Sequence, residues 1–548
     1  MQTIRIAGFL GANQAQDALL LPAEIGTQSL NQKPGNGTLR PWKQPLTVAS
    51  TSTAGRKTIY RFNADTPSDA NYWFEWSTVV HAVRAFIADD TSERTYFTGS
   101  GTPKVTNNVI GLAGAPYPTS ARELGVPIPI TKPIATQSAA GTGTDENRYY
   151  FYTYLTDFGE ESAPSPVSNV VVVKPGAFLN IVNIAAPPAG NYGINRVRLY
   201  RSVVGTSGSA EFFLIAEIAV ASSTTDNALV ATAFANESNG PSGSVGRIWS
   251  PPPADLRSLI GLWGGFMAGI TGMSVRYSEP NKPYAWPPAY ETLCNAKPVA
   301  LGKFQKNLVI LTTGAPRIAY GSAPEAMDDT GGGIDAACLS VQSVVSYEHG
   351  VCWASPDGLA YIGLNGQPRF LTAGTLEKEQ WQALNPSAII GAQYLGFYMG
   401  FYDAGAGALK GFMIDPLDPA GSIYFFDSGF TAVYYDALQE ALYGVSGTGI
   451  MRWDAGAALM TATFRSKQFR MPLPENPGAA EVIARNYPVT FKLFADGALV
   501  HTRTVTNREP FNLPSGYEPD VLQLEVSTSV GSVTAVAVAG NIDALKDV

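Results

Sequence analysis

Residues 350–372 read GVCWASPDGLAYIGLNGQPRFLT, and residues 377–402 read EKEQWQALNPSAIIGAQYLGFYMGFY. Both stretches alternate short apolar runs with turn residues, a pattern that is typical of β-hairpins. Five such runs, GGFMAGI, KNLVILT, HGVCWAS, YLGFYMGF and EALYGVS, begin at positions 264, 306, 349, 394 and 440, so neighbouring runs lie 42 to 46 residues apart. This spacing matches the roughly 40 to 50 residues of a propeller blade, and the sequence therefore predicts a β-propeller.

A further blade-like stretch lies near the N-terminus. VVHAVRAFIADD (residues 79–90) and RTYFTGSGTPKVT (residues 94–106) again combine strand formers with turns. Within it, TGSGTPK predicts a hairpin loop because it lacks the spacing of a phosphate-binding P-loop. N-terminal strands placed beside the last blade remove exposed sheet edges. We therefore expect a propeller of about six blades in which this segment joins the blades that follow Leu256.

Residues 116–252 interrupt the blade pattern and predict an inserted β-sandwich. The stretch RYYFYTYLTDFGEESAPSPVSNVVVV (residues 148–173) begins with aromatic strand formers, breaks at DFGEESAPSP and resumes as a strand. NRVRLYRS then predicts a strand with Val197 and Leu199 on its apolar face. The region resembles a fibronectin type III-like module, which is an immunoglobulin-like sandwich without disulfides.

The punctuation changes again after the propeller region. VTFKLFADGALVHTRTV and DVLQLEVSTSV predict a small separate β domain. Arg465, Lys467 and Arg470 precede it at nearly every-second spacing on a predicted strand, which favours a solvated or interface face over a phosphate site. The predicted organisation of this mainly β chain is an N-terminal region that contributes a blade (1–115), the inserted sandwich (116–252), the β-propeller (253–460) and the C-terminal β domain (461–548).

One helix is predicted, from TLEKEQWQALNP. Thr375 is the expected N-terminal cap, and Pro386 is expected to end the helix. Trp381 and Leu384 lie three positions apart, so both side chains should face the sheets and hold the helix against them.

The stretch YSEPNKPYAWPP (residues 277–288) predicts a rigid, extended connector. Its prolines fix the backbone φ angle and remove amide donors, which excludes a central strand. Two interpretations of Tyr284 and Trp286 stay open, since these rings can fill a core or form a contact between subunits.

Charged residues make up only 15% of the chain, below the roughly 25% of ordinary soluble domains. Extensive subunit contacts explain this value, and so does a turn-rich β protein with an uncharged polar surface. The formal net charge of −8 argues against tight electrostatic binding of nucleic acid, which requires clustered Lys and Arg.

The three cysteines, Cys294, Cys338 and Cys352, are expected to be small buried hydrophobic residues without disulfides. No secretion signal is evident near the N-terminus, and no apolar stretch reaches the roughly 18 residues of a membrane span. We therefore expect no membrane anchor and assembly in a reducing cytoplasm.

The sequence predicts no enzyme: no catalytic residue, cofactor-binding residue, cofactor or metal site is expected. His81, His349 and His501 lie far apart without Cys or carboxylate partners at ligand spacing, and no G-x-S-x-G elbow occurs. SPDGLAY looks somewhat like the Asp-box of sialidases. We interpret Asp357-Gly358 instead as a two-residue hairpin turn, and glycan hydrolysis would require a pair of carboxylates across one bond.

Several segments together resemble one known family. These segments are GNGTLRPWKQP, YTYLTDFGEESAPSP with INRVRLYRS, YSEPNKPYAWPPAY, VILTTGAPRIAYGSAPEAM, AACLSVQSVV, GVCWASPDGLAYI, LTAGTLEKEQWQALNPSAI and FRSKQF. They are similar to the propeller-bearing tail nozzle of short-tailed bacteriophages, also called tail tubular protein B. The resemblance covers most of residues 35–41, 149–202 and 256–472.

The resemblance implies a structural virion protein of the phage tail, assembled in the bacterial host cytoplasm. It implies a homo-oligomeric ring, a homohexamer in the family, that lies below the portal and the adaptor or head-to-tail connector protein. Genomic DNA would pass through its lumen during ejection without tight binding, and tail fibres are further candidate partners. The alternative is a host receptor- or glycan-binding propeller protein of the virion, with a glycosidase third.

Overall fold

The computed structural model describes residues 3–62, 68–86, 90–204, 210–227, 249–331, 335–418 and 422–545. The chain is mainly β, as the sequence predicts, and almost all strand pairs are antiparallel. The described helices are short. They are the α-helices Asn108–Gly111 and Lys378–Ala383 and the 3-10 helices Trp263–Gly265, Pro324–Ala326, Val341–Ser343, Pro386–Ala388 and Asp543–Leu545.

Six four-stranded antiparallel units, called sheets 1 to 6 in chain order, form the larger part of the molecule. Their strands are, for sheet 1, His81–Arg84, Thr95–Thr98, Lys104–Thr106 and Arg122–Glu123; for sheet 2, Arg257–Gly261, Met267–Thr271, Ser274–Tyr277 and Glu291–Leu293; for sheet 3, Pro298–Phe304, Asn307–Thr312, Arg317–Tyr320 and Asp328–Gly331; for sheet 4, Val345–Ser346, Gly350–Ser355, Gly358–Gly363 and Pro368–Phe370; for sheet 5, Ile390–Tyr394, Phe397–Asp403, Leu409–Ile414 and Ile423–Phe426; and for sheet 6, Val433–Asp436, Ala441–Ser446, Gly449–Arg452 and Leu46–Ser50.

Sheet 6 combines strands from distant parts of the chain, and sheet 1 crosses the predicted boundary at residue 115. Leu46–Ser50, from the N-terminal region, pairs with Gly449–Arg452, whereas the blade-like segment predicted at residues 79–106 forms sheet 1. The fourth strand of sheet 1, Arg122–Glu123, lies past residue 115. The TGSGTPK segment is the turn between the second and third strands of sheet 1, so the hairpin-loop prediction is confirmed.

The first strands of neighbouring sheets lie side by side and run in the same direction. Arg257 at the start of sheet 2 donates to the Pro298 carbonyl at the start of sheet 3, over 3.2 Å. Further along the strands, the Lys303 amide donates to Ser346 Oγ of sheet 4 over 3.0 Å. Gly302 permits this approach, because a Cβ there would lie 2.6 Å from a methyl carbon of Val351. Apolar side chains fill the space between adjacent sheets.

A two-stranded hairpin, Thr58–Arg61 with Trp73–Trp76, lies between sheet 6 and sheet 1. Arg61 Nη1 forms a buried ion pair with Asp436 of sheet 6 at 2.7 Å. On the other side the rings of Trp76 and Phe97 of sheet 1 lie 5.3 Å apart. Contacts therefore continue from sheet 6 through this hairpin to sheet 1.

The described part of the region between sheets 1 and 2 holds eight strands around one apolar core. Val197 and Leu199 are fully buried in it, as predicted. The strands are Ile134–Ala139, Glu146–Arg148, Tyr150–Thr156, Val171–Val173, Phe178–Val182, Ile194–Val204, Ala210–Ala219 and Ser223–Asp226. This group is called the insert below.

A serine ladder completes the edge of strand Tyr150–Thr156 in the insert. In ESAPSPVS every third residue is a serine, which suits a polyproline II segment with three residues per turn. Each serine amide donates to a tyrosine carbonyl, and each serine hydroxyl accepts the amide of that same tyrosine. The pairs are Ser162 with Tyr154, Ser165 with Tyr152 and Ser168 with Tyr150. A proline-rich segment thereby satisfies a sheet edge although its prolines supply no donors.

The C-terminal strands form two sheets that also include N-terminal residues. Their strands are Ile4–Ile6, Gln28–Leu30, Ala462–Arg465, Phe469–Arg470, Ala479–Ala484, Val489–Ala495, Ala498–Val505, Phe511–Asn512, Val521–Thr528 and Val533–Ala539. Gln28–Leu30 pairs with Ile423–Phe426 of sheet 5 on one side and with Ala462–Arg465 on the other. Sheet 5 is therefore continuous with a C-terminal sheet, a link that the sequence pattern did not predict.

Two local predictions need correction. The helix cap is Glu377, which forms a capping box with Gln380, because the Thr375 hydroxyl instead donates to the Thr372 carbonyl over 3.3 Å. The hairpin turn in SPDG is formed by Pro356 and Asp357, and Gly358 already belongs to the next strand. Proline at the second position and glycine at the fourth are typical of a type I turn.

Candidate functional site

The three histidines lie far apart in the structure. His81 starts sheet 1, His349 precedes a strand of sheet 4, and His501 lies in the C-terminal strand Ala498–Val505. Burial lowers the pKa of His81 to about 4, so its imidazole is neutral at pH 7. Within the described ranges, no group of three or more His, Cys, Asp or Glu side chains is arranged to hold a metal ion.

The cysteines are buried and free, as predicted. Burial raises the pKa of the Cys338 thiol to about 12 and that of Cys352 well above its usual value. Both therefore stay as neutral thiols inside the apolar core.

The three basic residues near position 465 do not lie on one strand, which corrects the expected spacing. Arg465 ends a strand, donates to Gln523 over 2.9 Å and lies over the Phe494 ring at 3.9 Å. Lys467 donates to the Leu21 carbonyl over 2.5 Å, and Arg470 is exposed in the next strand. Lys467 therefore joins the C-terminal segment to the N-terminal one, whereas the side chain of Arg465 contacts the C-terminal strands.

The connector YSEPNKPYAWPP contains no strand of sheet 2 beyond Tyr277, as predicted. Trp286 is 3% exposed and packs with core residues of sheets 1 and 2, and its indole donates to the Pro283 carbonyl over 2.8 Å. Tyr284 packs against both this cluster and the insert. Of the two interpretations of Trp286, core filling is the one that its burial favours.

A cavity of about 620 Å³ lies where sheets 1, 2 and 3 meet, beside the 3-10 helix Val341–Ser343. It is called the axial cavity below, and residues at or next to the starts of the first strands of sheets 1, 2 and 3 line it. Its lining residues are Val79, His81, Gly99, Arg257, Ser258, Gly272, Lys297, Pro298, Val299, Thr313, Leu339 and Val341. In the sequence, a basic residue stands at or just before the first strand in KTIY, RSLI and KPVA. These stretches begin at Lys57, Arg257 and Lys297.

A second cavity, of about 610 Å³, lies between the helix Lys378–Ala383, sheet 5 and Gln28–Leu30. Lys410, Asp427 and Arg465 are its charged lining residues. This cavity depends on the pairing that makes sheet 5 continuous with the C-terminal strands, and the sequence did not predict it.

A buried acidic residue marks the junction of the insert with sheet 1. Glu160 is 3% exposed, and burial raises the pKa of its carboxyl to about 7, against the opposing effect of Arg94. Its Oε1 lies 4.0 Å from Arg94 Nη1 and accepts no hydrogen bond from the residues that the structure describes. The same holds for the neighbouring Tyr96 hydroxyl, which has no hydrogen-bond partner in the described part of the chain. Burial therefore favours the protonated form of the Glu160 carboxyl.

Exposed leucines share one end of three successive sheets. In a four-stranded antiparallel sheet, the turns between strands one and two and between strands three and four lie at the same end. Leu364, Leu395, Leu417 and Leu438 occupy such turns in sheets 4, 5 and 6 and are 52% to 70% exposed. These four residues are called the leucine end, and the axial cavity lies at the opposite end of the strands.

No described helix has the length and apolar character needed to cross a membrane.

No protein-family model matches this sequence, and no curated protein matches it. Solved structures that match this chain include the AfRom2 CNH domain, at 8% identity over 72% of this chain and 99% of that chain, with a TM-score of 0.25. AztD from Citrobacter koseri matches at 11% identity over 70% of this chain and 99% of that chain, with a TM-score of 0.26. PorZ, a surface component of the type-IX secretion system of Porphyromonas gingivalis, matches at 11% identity over 86% and 77% of the two chains, with a TM-score of 0.23. Similarity to solved structures at this level indicates no function for this chain.

Proposed function

We propose that this protein is a structural subunit of a bacteriophage tail that forms a nozzle ring below the portal and adaptor. The observation that carries the proposal is the ordered series of family-like segments between residues 35 and 472. In this proposal the chain is a virion protein without enzymatic activity. Its partners are further copies of itself, the adaptor protein, DNA in transit and tail fibres.

The arrangement of the sheets supports a propeller as the core of that subunit. Sheets 1 to 6 follow each other in chain order, and the hairpin Thr58–Arg61 with Trp73–Trp76 connects sheet 6 with sheet 1. We propose that these units close into one wheel of about six full blades, with the two-stranded hairpin as a partial blade. A closed wheel leaves fewer exposed sheet edges, which suits a protein that assembles into a defined ring.

The leucine end supports a role in assembly. Four leucines that are each more than half exposed on successive turns are costly in water, and contact with another chain would remove that apolar surface. The low charged fraction of 15% agrees with extensive contacts between subunits. An overall charge of −8 also suits DNA passage, because a channel lined with Lys and Arg would retain the duplex through counterion release.

Electron microscopy of the purified protein tests the proposal directly. The expected result is a closed ring with a central channel, with six copies as the family implies, and only weak binding of duplex DNA at physiological salt. A monomer or trimer that binds host glycans would instead support the receptor-binding alternative. Location of the protein on the capsid exterior, away from the tail axis, would also overturn the nozzle assignment.

The leucine end has its own test. The double substitution Leu395→Asp with Leu438→Asp should reduce ring formation or incorporation into virions, because charge at a buried contact is unfavourable. Met273→Asp is the matched control, since Met273 is 48% exposed at a turn between strands two and three, at the opposite end of sheet 2. Equal assembly of both variants would show that the leucine end is not a contact surface.

A further inference from the structure

The axial cavity combines apolar walls with positive charge. Val79, Pro298, Val299, Leu339 and Val341 supply much of its lining. A volume of about 620 Å³ is within the range of small-molecule sites, which are mostly apolar with a few polar groups that orient the ligand.

The ionisable residues of the described lining are cationic or basic. They are Arg257, Lys297 and His81, and the lining that the structure describes includes no carboxylate. Among the described residues, neither Arg257 nor Lys297 forms an ion pair within 4.0 Å. The nearest acidic influence is Asp255, which lies outside the lining and accepts hydrogen bonds from Thr271 and Gly272. In a chain of net charge −8, this cavity is a local concentration of positive charge.

One hydrogen bond joins Arg257 to the segment that carries Lys297. Arg257 Nη2 donates to the carbonyl of Pro298, the residue that follows Lys297. That bond uses one of the five guanidinium donors. Gln342 Nε2 donates to the Lys57 carbonyl over 3.0 Å beside the cavity and joins the segment before sheet 4 to the start of the hairpin.

We infer that the axial cavity binds a small organic anion that consists of an apolar body and one carboxylate or phosphate group. Arg257 and Lys297 would bind the anionic group, because charge-assisted hydrogen bonds to a guanidinium and an ammonium are the strong ones. The valine, proline and leucine walls would contact the apolar body. This inference does not depend on the proposed role in a phage tail.

His81 provides an internal reporter of such binding. Its imidazole is neutral at pH 7 because burial lowers its pKa to about 4. An anion placed next to it favours the charged form and should raise that pKa. The charged groups on the neighbouring elements are Arg257 and Lys297, with Asp255 beyond them.

Isothermal titration calorimetry with phenyl phosphate as the probe tests the inference on the full-length protein. We expect saturable binding of one molecule per chain. Arg257→Gln and Lys297→Gln should each weaken binding about tenfold or more, since a hydrogen bond to a charged group contributes about 1.5–3 kcal/mol. Lys306→Gln is the matched control, because Lys306 is exposed at the turn between the first two strands of sheet 3, away from the cavity, and it should leave binding unchanged.

Two comparison probes separate the outcomes. Phenol and inorganic phosphate should each bind more weakly than phenyl phosphate, because each contacts only one half of the site. Nuclear magnetic resonance of ring-labelled histidine should show a rise in the pKa of His81 with the probe bound, with no change for His501. Absence of saturable binding, or equal affinity in both cavity variants and the control, would overturn the inference.

Discussion

The insert and the interface between sheets 3 and 4 are stabilised in different ways. Between sheets 3 and 4 the contacts are mainly apolar, and the Trp353 indole satisfies its single donor with the Ala336 carbonyl at 2.9 Å. In the insert, buried Asp226 accepts from Arg201 at 2.8 Å and from the Tyr150 hydroxyl at 2.7 Å.

The difference shows how much each region depends on exact geometry. Apolar burial is non-directional, so a sheet with apolar residues at the right period packs in many arrangements. A buried carboxylate needs named donors at fixed positions, and loss of one leaves another charge unpaired. We therefore expect the replacement of a single buried polar residue to destabilise the insert more than a single replacement destabilises the interface between sheets 3 and 4.

The largest expected effect is that of Asp226→Ala. It leaves Arg201 buried without its carboxylate, and the removal of one member of a buried ion pair costs about 3–5 kcal/mol. Hydrogen exchange followed by mass spectrometry should show loss of protection in Tyr150–Thr156, with sheets 3 and 4 unchanged. Asp145→Ala is the control, since Asp145 is exposed in the insert. Uniform loss of protection in all sheets would contradict the independence of the two regions.

Glu160→Gln should stabilise the protein at high pH. The carboxyl pKa is raised from 4.5 to about 7, so its favourable contribution is complete below pH 4.5 and is lost as the pH rises through 7. At pH 8 the glutamine variant should gain on the order of 3 kcal/mol over the parent, and at pH 4.5 the two should be nearly equal. Thermal unfolding from pH 4.5 to pH 8 measures the difference.

The adjacent residue Glu161 supplies the control for that measurement. Its carboxylate accepts from Thr153, Tyr200 and Arg198 at 2.5 to 2.9 Å, so Glu161→Gln should destabilise the insert at neutral pH. Identical pH profiles for the parent and the Glu160 variant would show that Glu160 does not titrate in this range.

Ser165→Ala tests the serine ladder. The substitution leaves the buried Tyr152 amide without the acceptor that lies 3.1 Å away, at a cost of about 1–3 kcal/mol. The faster exchange should be confined to the edge of strand Tyr150–Thr156. Thr136→Ala, at an exposed position of the same insert, should leave exchange unchanged, and equal effects of both variants would argue against the ladder.

The smallest effect is expected in the apolar interface. Ile362 is fully buried between sheets 3 and 4, and Ile362→Val removes one methylene, which typically costs about 0.5–1.5 kcal/mol. Thermal unfolding should show a small decrease, close to that of a surface change such as Lys306→Gln in sheet 3. A loss as large as that of Asp226→Ala would mean that the sheets are as geometrically constrained as the insert.

Much of the strand content and the start of the repeat were predictable because they depend on local patterns. Val197 and Leu199 were placed correctly by alternation, since successive side chains of a strand point to opposite faces. Trp381 and Leu384 were placed correctly by helical spacing and are both buried. The cap at Glu377 was not predicted, because Thr375 was already engaged with a carbonyl that only the folded turn brings near.

The axial cavity and the buried carboxyl of Glu160 were not predictable as sites. Arg257 and Lys297 are 40 positions apart, and their meeting depends on the side-by-side packing of sheets 2 and 3. Similarly, Glu160 stands in an ordinary polar turn, and it is buried where that turn meets the start of a strand of sheet 1 beside Arg94.

The sequence by itself determined the β character of this chain, the spacing of its sheets and the apolar faces of its strands, because these features follow from residue periodicity. Only the tertiary structure decided which distant strands pair, as where Gln28–Leu30 joins sheet 5 to the C-terminal strands. It also decided which charges are buried and which cations share a cavity. Backbone pairing is open to any strand with a free edge, and desolvation depends on neighbours from remote parts of the chain, so neither is encoded by local pattern.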